Sequence, residues 1–471
     1  MEVRIDKPLN ESSRFWLPGE VDKVVSGRLV YDPTEGITVE VTSGLVPAKF
    51  NGSAQNHPII HGQLMSGSLV TLVEAFVTSH STGFGGDGPV TITAGRAMFG
   101  CHAQDSLQMR VKSCSLGLAD LEEWLGIRCV SSEDAYDSGG RIGVDLHYRE
   151  PPAIKVEIPI SDLTFSINWK LHSTWCREQG VGLRPEAYLT ATAKDSFSLA
   201  DSSTAAWDIQ CLLALLIGHV PTVRWMSVEP LFSVGASKSE KECQILYHQR
   251  AESTTETMFA SNMLLPYQIV QPDFAAIANN WFARTEQAKL AAMVYVESML
   301  AKPPTVNVGF LAVVHAIEAY HRSTHRGLYM DQGVFDAAIE KITNQIPEEF
   351  DVDHRQSLKN RMRYGNEHSM RKRLTDLLNR IPSQLCNRIT GSNSQQFVQR
   401  VVATRNYFTH WDVESKKQAF SDGKDILNAT KRLRALFIAS IFHDLGATEK
   451  TLMDSIANSS GFTPWFRQSL N

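Results

Sequence analysis

The stretch "VVATRNYFTHWD", residues 401–412, places an arginine, an amide and an imidazole within six positions: Arg405, Asn406 and His410. A guanidinium can grip a phosphate at two points, an imidazole titrates near neutral pH, and an amide can orient either group. Cleavage of RNA without a metal needs these parts. The ribose 2′-OH must lose a proton, the phosphorane gains negative charge, and the leaving 5′-oxygen must gain a proton. One imidazole does not easily act as acid and base on opposite sides of a phosphate. A two-fold axis that docks a second copy alongside would supply the other. The spacing Arg-x4-His alone is common, however. The bland alternative pairs Arg405 with Asp412 and leaves His410 on a solvated surface.

These residues need a helix to hold them. At about 100° per residue, Phe397, Val401 and Phe408 fall on one side and define the core face. Asn406 and His410, four apart, stack on the opposite side. Arg405 lies between the faces, with a side chain long enough to reach His410. The surrounding sequence supplies further helices. "FAAIANNWFARTEQAKLAAMVYVESML" reads as one long or two consecutive helices stopped by Pro303 and Pro304. In "NVGFLAVVHAIEAYHRSTHRG", Phe310, Val313, Val314 and Ile317 form a stripe of helical period. "KDILNATKRLRALFIASIFHDLG" carries a second stripe from Ile426 to Ile441. Short links between such helices argue for an up-and-down bundle.

Other chemistry-bearing residues lie nearby. Glu318 sits at the edge of the first stripe and can pair with Arg322 one turn on. Between 354 and 373 there are seven Lys and Arg residues and one acid, Glu367. Within that basic stretch, read as a loop, Arg361, Arg363, Arg371, Lys372 and Arg373 are candidate RNA-backbone contacts. His315, His321 and His325 do not share one helix face, and no metal site is expected from them. The seven cysteines show no CxxC pair, so neither a disulfide framework nor a zinc cage is expected. No cofactor is implied.

Before residue 200 the pattern is that of strands. In "SGRLVYDPTEGITVEVTS", Leu29 and Tyr31 alternate, then Ile37, Val39 and Val41, around a Pro/Gly turn. Similar runs follow, with "TGFGGDGP" and "SSEDAYDSGG" read as loops. "DSSTAAWDIQCLLALLIGH" is a buried helix, with Ser202 or Ser203 as N-cap. "VRWMSVEPLFSV" and "ECQILYHQR" then return to strand patterning. The expectation is an α+β chain: a β-rich domain over 1–200, antiparallel and sandwich- or barrel-like; a mixed helix/strand continuation over 201–271; and a helical bundle over 272–471. No GxGxxG, Walker, HExxH or GxSxG pattern occurs in the β region.

The chain has 471 residues and a net charge of −5. From residue 301 onward there are 23 Lys and Arg against 17 Asp and Glu, and the first 300 residues hold 23 against 34. A basic C-terminal part suits an anionic partner. With no signal peptide and no apolar run near the roughly 20 residues of a membrane span, a cytoplasmic protein without a membrane segment is expected.

"RNYFTH" resembles the Arg-Asn-x3-His form of the motif that marks the HEPN superfamily. Its members are helical bundles and often metal-independent RNases. The order "NNWFARTEQAKLAAMVYVESML", "GFLAVVHAIEAYHR", "RNYFTH" is similar to the HEPN domain of the ApeA family, bacterial proteins of anti-phage defence and abortive infection. "FWLPGEVDKVVSGRLVYDPTEGITVEV" resembles the domain found ahead of it. The resemblance implies that Arg405, Asn406 and His410 are catalytic and that Glu318, an acidic residue facing the groove, orients Arg405, in place of pairing only with Arg322. It also implies that the bundle forms a homodimer acting on RNA, and that the β region senses a phage-derived trigger or restrains the nuclease. Two rivals stay open. One is a non-catalytic HEPN regulator that binds RNA, nucleotide or protein. The other makes the β region a carbohydrate or small-ligand module.

Overall fold

A computed structural model describes residues 3–42, 45, 56–83, 86–105, 109–159, 162–176, 180–231, 242–249, 257–300, 305–325, 327–347, 349–458, 460 and 462. The chain is α+β and divides into two compact units, residues 1–283 and 284–471.

The first unit opens with β1 (Leu9–Trp16), β2 (Val25–Asp32), β3 (Gly36–Val41), β4 (Asn56–Leu64), β5 (Leu69–Gly83) and β6 (Gly86–Phe99). They pair antiparallel in the order β6-β3-β2-β1-β4-β5, and β5 returns onto β6, which closes a six-stranded barrel. Period-two alternation decides what is buried. Leu29 and Tyr31 on β2 and Ile37, Val39 and Val41 on β3 are all at most 2% exposed. "TGFGGDGP" is mostly strand rather than loop, since β5 runs to Gly83 and β6 starts at Gly86. Residues 84 and 85 lie outside the described residues.

The remaining strands are β7 (Arg110–Leu118), β8 (Val130–Asp137), β9 (Gly140–Tyr148), β10 (Ile154–Ile158), β11 (Leu163–Cys176), β12 (Gly180–Ser198), β13 (Val223–Pro230) and β14 (Cys243–Tyr247). β8 and β9 form a separate hairpin where a loop was expected, turning through Asp137–Gly140. The others extend the sheet from β6 in the order β14-β13-β7-β12-β11-β10. Helices α1 (Leu121–Leu125), α2 (Leu199–Ile217), α3 (Tyr267–Val270) and α4 (Phe274–Phe282) complete this unit. The buried α2 packs against β7 and β12. Its cap is Ser198 in a capping box with Asp201, not Ser202 or Ser203. Ser202 is itself buried, its hydroxyl donating to the Leu199 carbonyl. Gly218 ends α2 in left-handed backbone, φ 101°.

The second unit is helical. It comprises α5 (Glu286–Leu300), α6 (Val306–His325), α7 (Gln332–Thr343), α8 (Val352–Arg363), α9 (Met370–Arg380), α10 (Ser383–Thr390), α11 (Ser394–His410), α12 (Val413–Lys416), α13 (Gly423–Asp444) and α14 (Glu449–Asn458). The run from Phe274 is therefore two helices, α4 and α5, divided between the units. Pro303 and Pro304 lie outside the described residues. The stripe Phe310, Val313, Val314 and Ile317 is buried throughout, as are Leu433, Leu436, Phe437 and Ile441 facing it from α13. Rings lock α5, α6 and α13 together. Tyr295 stacks on Phe437 at 4.3 Å and Tyr320 meets the same ring edge-on at 5.4 Å. The basic stretch 354–373 is α8, a tight turn at Tyr364–Asn366 and the start of α9, rather than a loop.

Candidate active site

α11 begins at Asn393, whose side chain accepts from the Gln396 N–H at 2.9 Å. Phe397 and Val401 are buried, and Phe408 meets Phe310 edge-on at 6.5 Å. Thr404, fully buried, donates to the Arg400 carbonyl and accepts from the Phe420 N–H at 2.9 Å. These contacts fix the rotation of the helix about its axis. Arg405 and Asn406 are left half-buried and His410 exposed. The helix stops immediately after His410. Trp411 adopts left-handed backbone, φ 54°, and its N–H returns to the Tyr407 carbonyl at 2.8 Å. A bulky residue rarely sits there, and the conformation costs about 1–2 kcal/mol.

The three site residues meet. Arg405 Nη1 donates to Asn406 Oδ1 at 3.2 Å and lies 3.5 Å from His410 Nε2. With the guanidinium as donor, the Nε2 lone pair is the acceptor, and it becomes available for general-base chemistry once Arg405 turns from it to a phosphate. Asp412 does not take Arg405. Its carboxylate caps α12, accepting from the Glu414 and Ser415 N–H groups. The Ser415 hydroxyl, then these N–H groups, hold it below the usual carboxylate range. Glu318, on α6, approaches Arg405 Nη2 at 3.9 Å through one oxygen and Arg322 Nη2 at 3.4 Å through the other. It does both things that the sequence offered as alternatives.

The basic side chains separate into two kinds. Arg361, Arg363, Arg371 and Lys372 are exposed, although Lys372 also pairs with Asp376 at 3.0 Å. Arg373 is not a surface cation, and the expectation that it faces RNA is corrected. Its side chain is completely buried, donating to the His368 carbonyl at 2.9 Å, facing His321 Nδ1 at 3.1 Å and pairing with Glu367 at 3.3 Å. Burial, first of all, lowers its pKa. The spacing of α9 gave the clue, since Arg373 directly precedes the buried Leu374 and lies four residues before the buried Leu377.

Arg373 belongs to a cluster that sequence reasoning missed. His321, His368 and Asp376 bring ligand-type atoms within 4.8 Å of one another. The buried guanidinium of Arg373 beside the cluster opposes a cation there. Arg373 donates toward His321 Nδ1, which leaves the ring proton on Nε2, facing Asp376 Oδ2 at 3.4 Å. A metal on Nε2 would move that proton to Nδ1, against the guanidinium. Burial, then the neighbouring His325 and Arg373, pushes His321 down to about 4. A half-buried ion-paired group lies close by. Asp444 accepts from Tyr320 Oη at 2.6 Å and faces His325 Nε2 at 3.1 Å, and is held down to about 2 by these hydrogen bonds against the opposing effect of burial.

The helical unit is a HEPN-type domain. Residues 311–451 match the family model for an Apea-like HEPN, and residues 12–281 match that for ApeA N-terminal domain 1. The second match covers more than half of the chain, and this protein belongs to the ApeA family. No curated protein and no solved structure matches it. Family membership suggests a HEPN-type nuclease of a defence system. Among the described residues, no helix is long and apolar enough to cross a membrane.

Proposed function

We propose that the protein is a metal-independent endoribonuclease acting in the cytoplasm in anti-phage defence by abortive infection. The observation that carries this reading is the guanidinium of Arg405 reaching both Asn406 Oδ1 and His410 Nε2 at the solvent-facing end of α11. In this mechanism His410 takes the 2′-OH proton through Nε2. The freed oxygen attacks the adjacent phosphorus, the P–O5′ bond breaks, and a 2′,3′-cyclic phosphate forms. Arg405 binds the non-bridging oxygens and stabilises the charge that develops on them. Asn406 holds the guanidinium in register. The second His410, from a partner copy docked through the bundle, protonates the 5′-oxygen. Glu318 anchors Arg405 from behind. The exposed Arg361, Arg363, Arg371 and Lys372 steer the RNA backbone. The N-terminal unit responds to a phage-derived trigger or holds the nuclease in check.

The test is RNA cleavage by His410→Ala and Arg405→Ala, each assayed with and without EDTA. Losses of about 10²–10⁴-fold for His410→Ala and 10²–10³-fold for Arg405→Ala are expected, with no effect of the chelator. Full cleavage by both variants removes the proposal. RNA binding by a wild-type protein that never cuts selects a binding regulator instead.

A further inference from the structure

Glu318 ties together more than the residues of the motif. Its two carboxylate oxygens meet two different guanidiniums, Arg405 Nη2 and Arg322 Nη2. The second of these is also held from its far side, because Arg322 Nη2 lies 2.8 Å from Glu367 Oε2. The same Glu367 oxygen is gripped at 3.3 Å by Arg373, which is itself buried. A core-anchored cation thus fixes a carboxylate, and that carboxylate fixes a cation at the surface. Across Arg405, Glu318, Arg322, Glu367 and Arg373, three guanidiniums face two carboxylates, leaving one positive charge in excess. Arg322 is the most exposed of the five, at 55%. Among the described residues its two ion pairs run through Nη2, which leaves the rest of its five-donor fork for another acceptor.

We infer that Arg322 is a second RNA-phosphate contact of the active site, binding the phosphodiester next to the one held by Arg405, with Glu367 as its positioning residue. The inference rests on the nuclease reading above. The ligand class is a single-stranded polyanion with consecutive phosphates. A mononucleotide offers only one phosphodiester-like group and would engage Arg405 without Arg322. The competing account is an idle surface ion pair, which leaves RNA binding untouched.

The experiment measures binding of a 2′-O-methyl oligoribonucleotide, which cannot be cut, across a salt series, together with kcat and KM on the cleavable RNA. Arg322→Ala should weaken binding about 10-fold, lower the salt slope by about one and raise KM, with kcat changed less than about 3-fold. Arg322→Lys should restore the salt slope and part of the affinity, which separates lost charge from lost folding. Glu367→Gln should raise KM while leaving the salt slope within a few tenths. Wild type that binds and cuts, with Arg322→Ala identical to it in affinity and slope, overturns this assignment alone. Wild type that neither binds nor cuts removes the nuclease reading and this assignment with it.

Discussion

At the scale of single residues, the end of α11 is set by two side chains with no part in the proposed chemistry. Trp411 turns the backbone into the left-handed region, and Asp412 starts the next helix. The bland pairing of Asp412 with Arg405 therefore makes a contrary prediction that can be checked. Asp412→Ala removes an N-cap and should cost about 1 kcal/mol in denaturant unfolding. RNA cleavage should stay within a few-fold of wild type, and a collapse in cleavage would restore Asp412 to the site. Gly117 shows how little room the sheet leaves elsewhere. A Cβ added there would come 2.1 Å from Trp225 Nε1. Gly117→Ala should destabilise the first unit by about 1–3 kcal/mol, measured as a fall in its thermal midpoint.

At the scale of elements, α6, α9 and α11 are joined by charge as well as by apolar packing. Arg373→Met would leave Glu367 and His321 without their buried partner. It should lower stability by about 2–3 kcal/mol in denaturant titration, the lower end for such a loss because Glu367 is partly exposed. The buried imidazole also sets a pH response. His321 titrates near 4 in the folded chain and near 6.5 when unfolded, so the unfolded state binds the proton first. Stability from this group is complete above about pH 6.5 and is lost as pH falls toward 4. Asp444 acts lower, from its ordinary value near 3.8 down to about 2. Thermal midpoints at pH 7, 5.5 and 4.5 should fall, and His321→Gln should flatten that fall; an equal slope in the variant would assign the acid sensitivity to other groups. How much of this the sequence disclosed depended on period. The stripes of α6 and α13 and the alternation in β2 and β3 repeat often enough to be read directly. The set on α11 was legible because its members lie within six residues. The His321, His368, Asp376 and Arg373 cluster was not, since His321 lies 47–55 residues before the other three. Arg373 reads as a surface cation beside Arg371 and Lys372 until His321, 52 residues earlier, is seen to help enclose it. The hairpin β8–β9 escaped because β8 runs through the polar Ser131–Asp134 into a Ser-Gly-Gly turn, which carries no apolar alternation and so weakens the strand signal.

At the scale of the whole molecule, charge is divided along the chain. The acidic first 300 residues and the basic remainder concentrate positive charge toward the helical unit, which suits the RNA partner proposed above. RNA affinity should therefore fall steeply between 50 and 200 mM salt, by about 10³-fold or more if some six phosphates are contacted. A flat salt response would show that the basic helices take no part. The first unit raises a different matter, through β6. Its residues Val90–Ala94 pair with β3 inside the barrel, Arg96–Phe99 pair with β14 of the extension, and β5 runs along its other edge. One strand is thus a shared wall between two sub-assemblies. Neither can melt alone without stripping hydrogen bonds from the other, so truncations that spare only one of them should yield insoluble chain. Leu72→Ala in the barrel and Leu116→Ala in the extension should then depress a single calorimetric transition together. Any signal that must travel from one end of this unit to the other has a stiff, continuous ribbon to travel along.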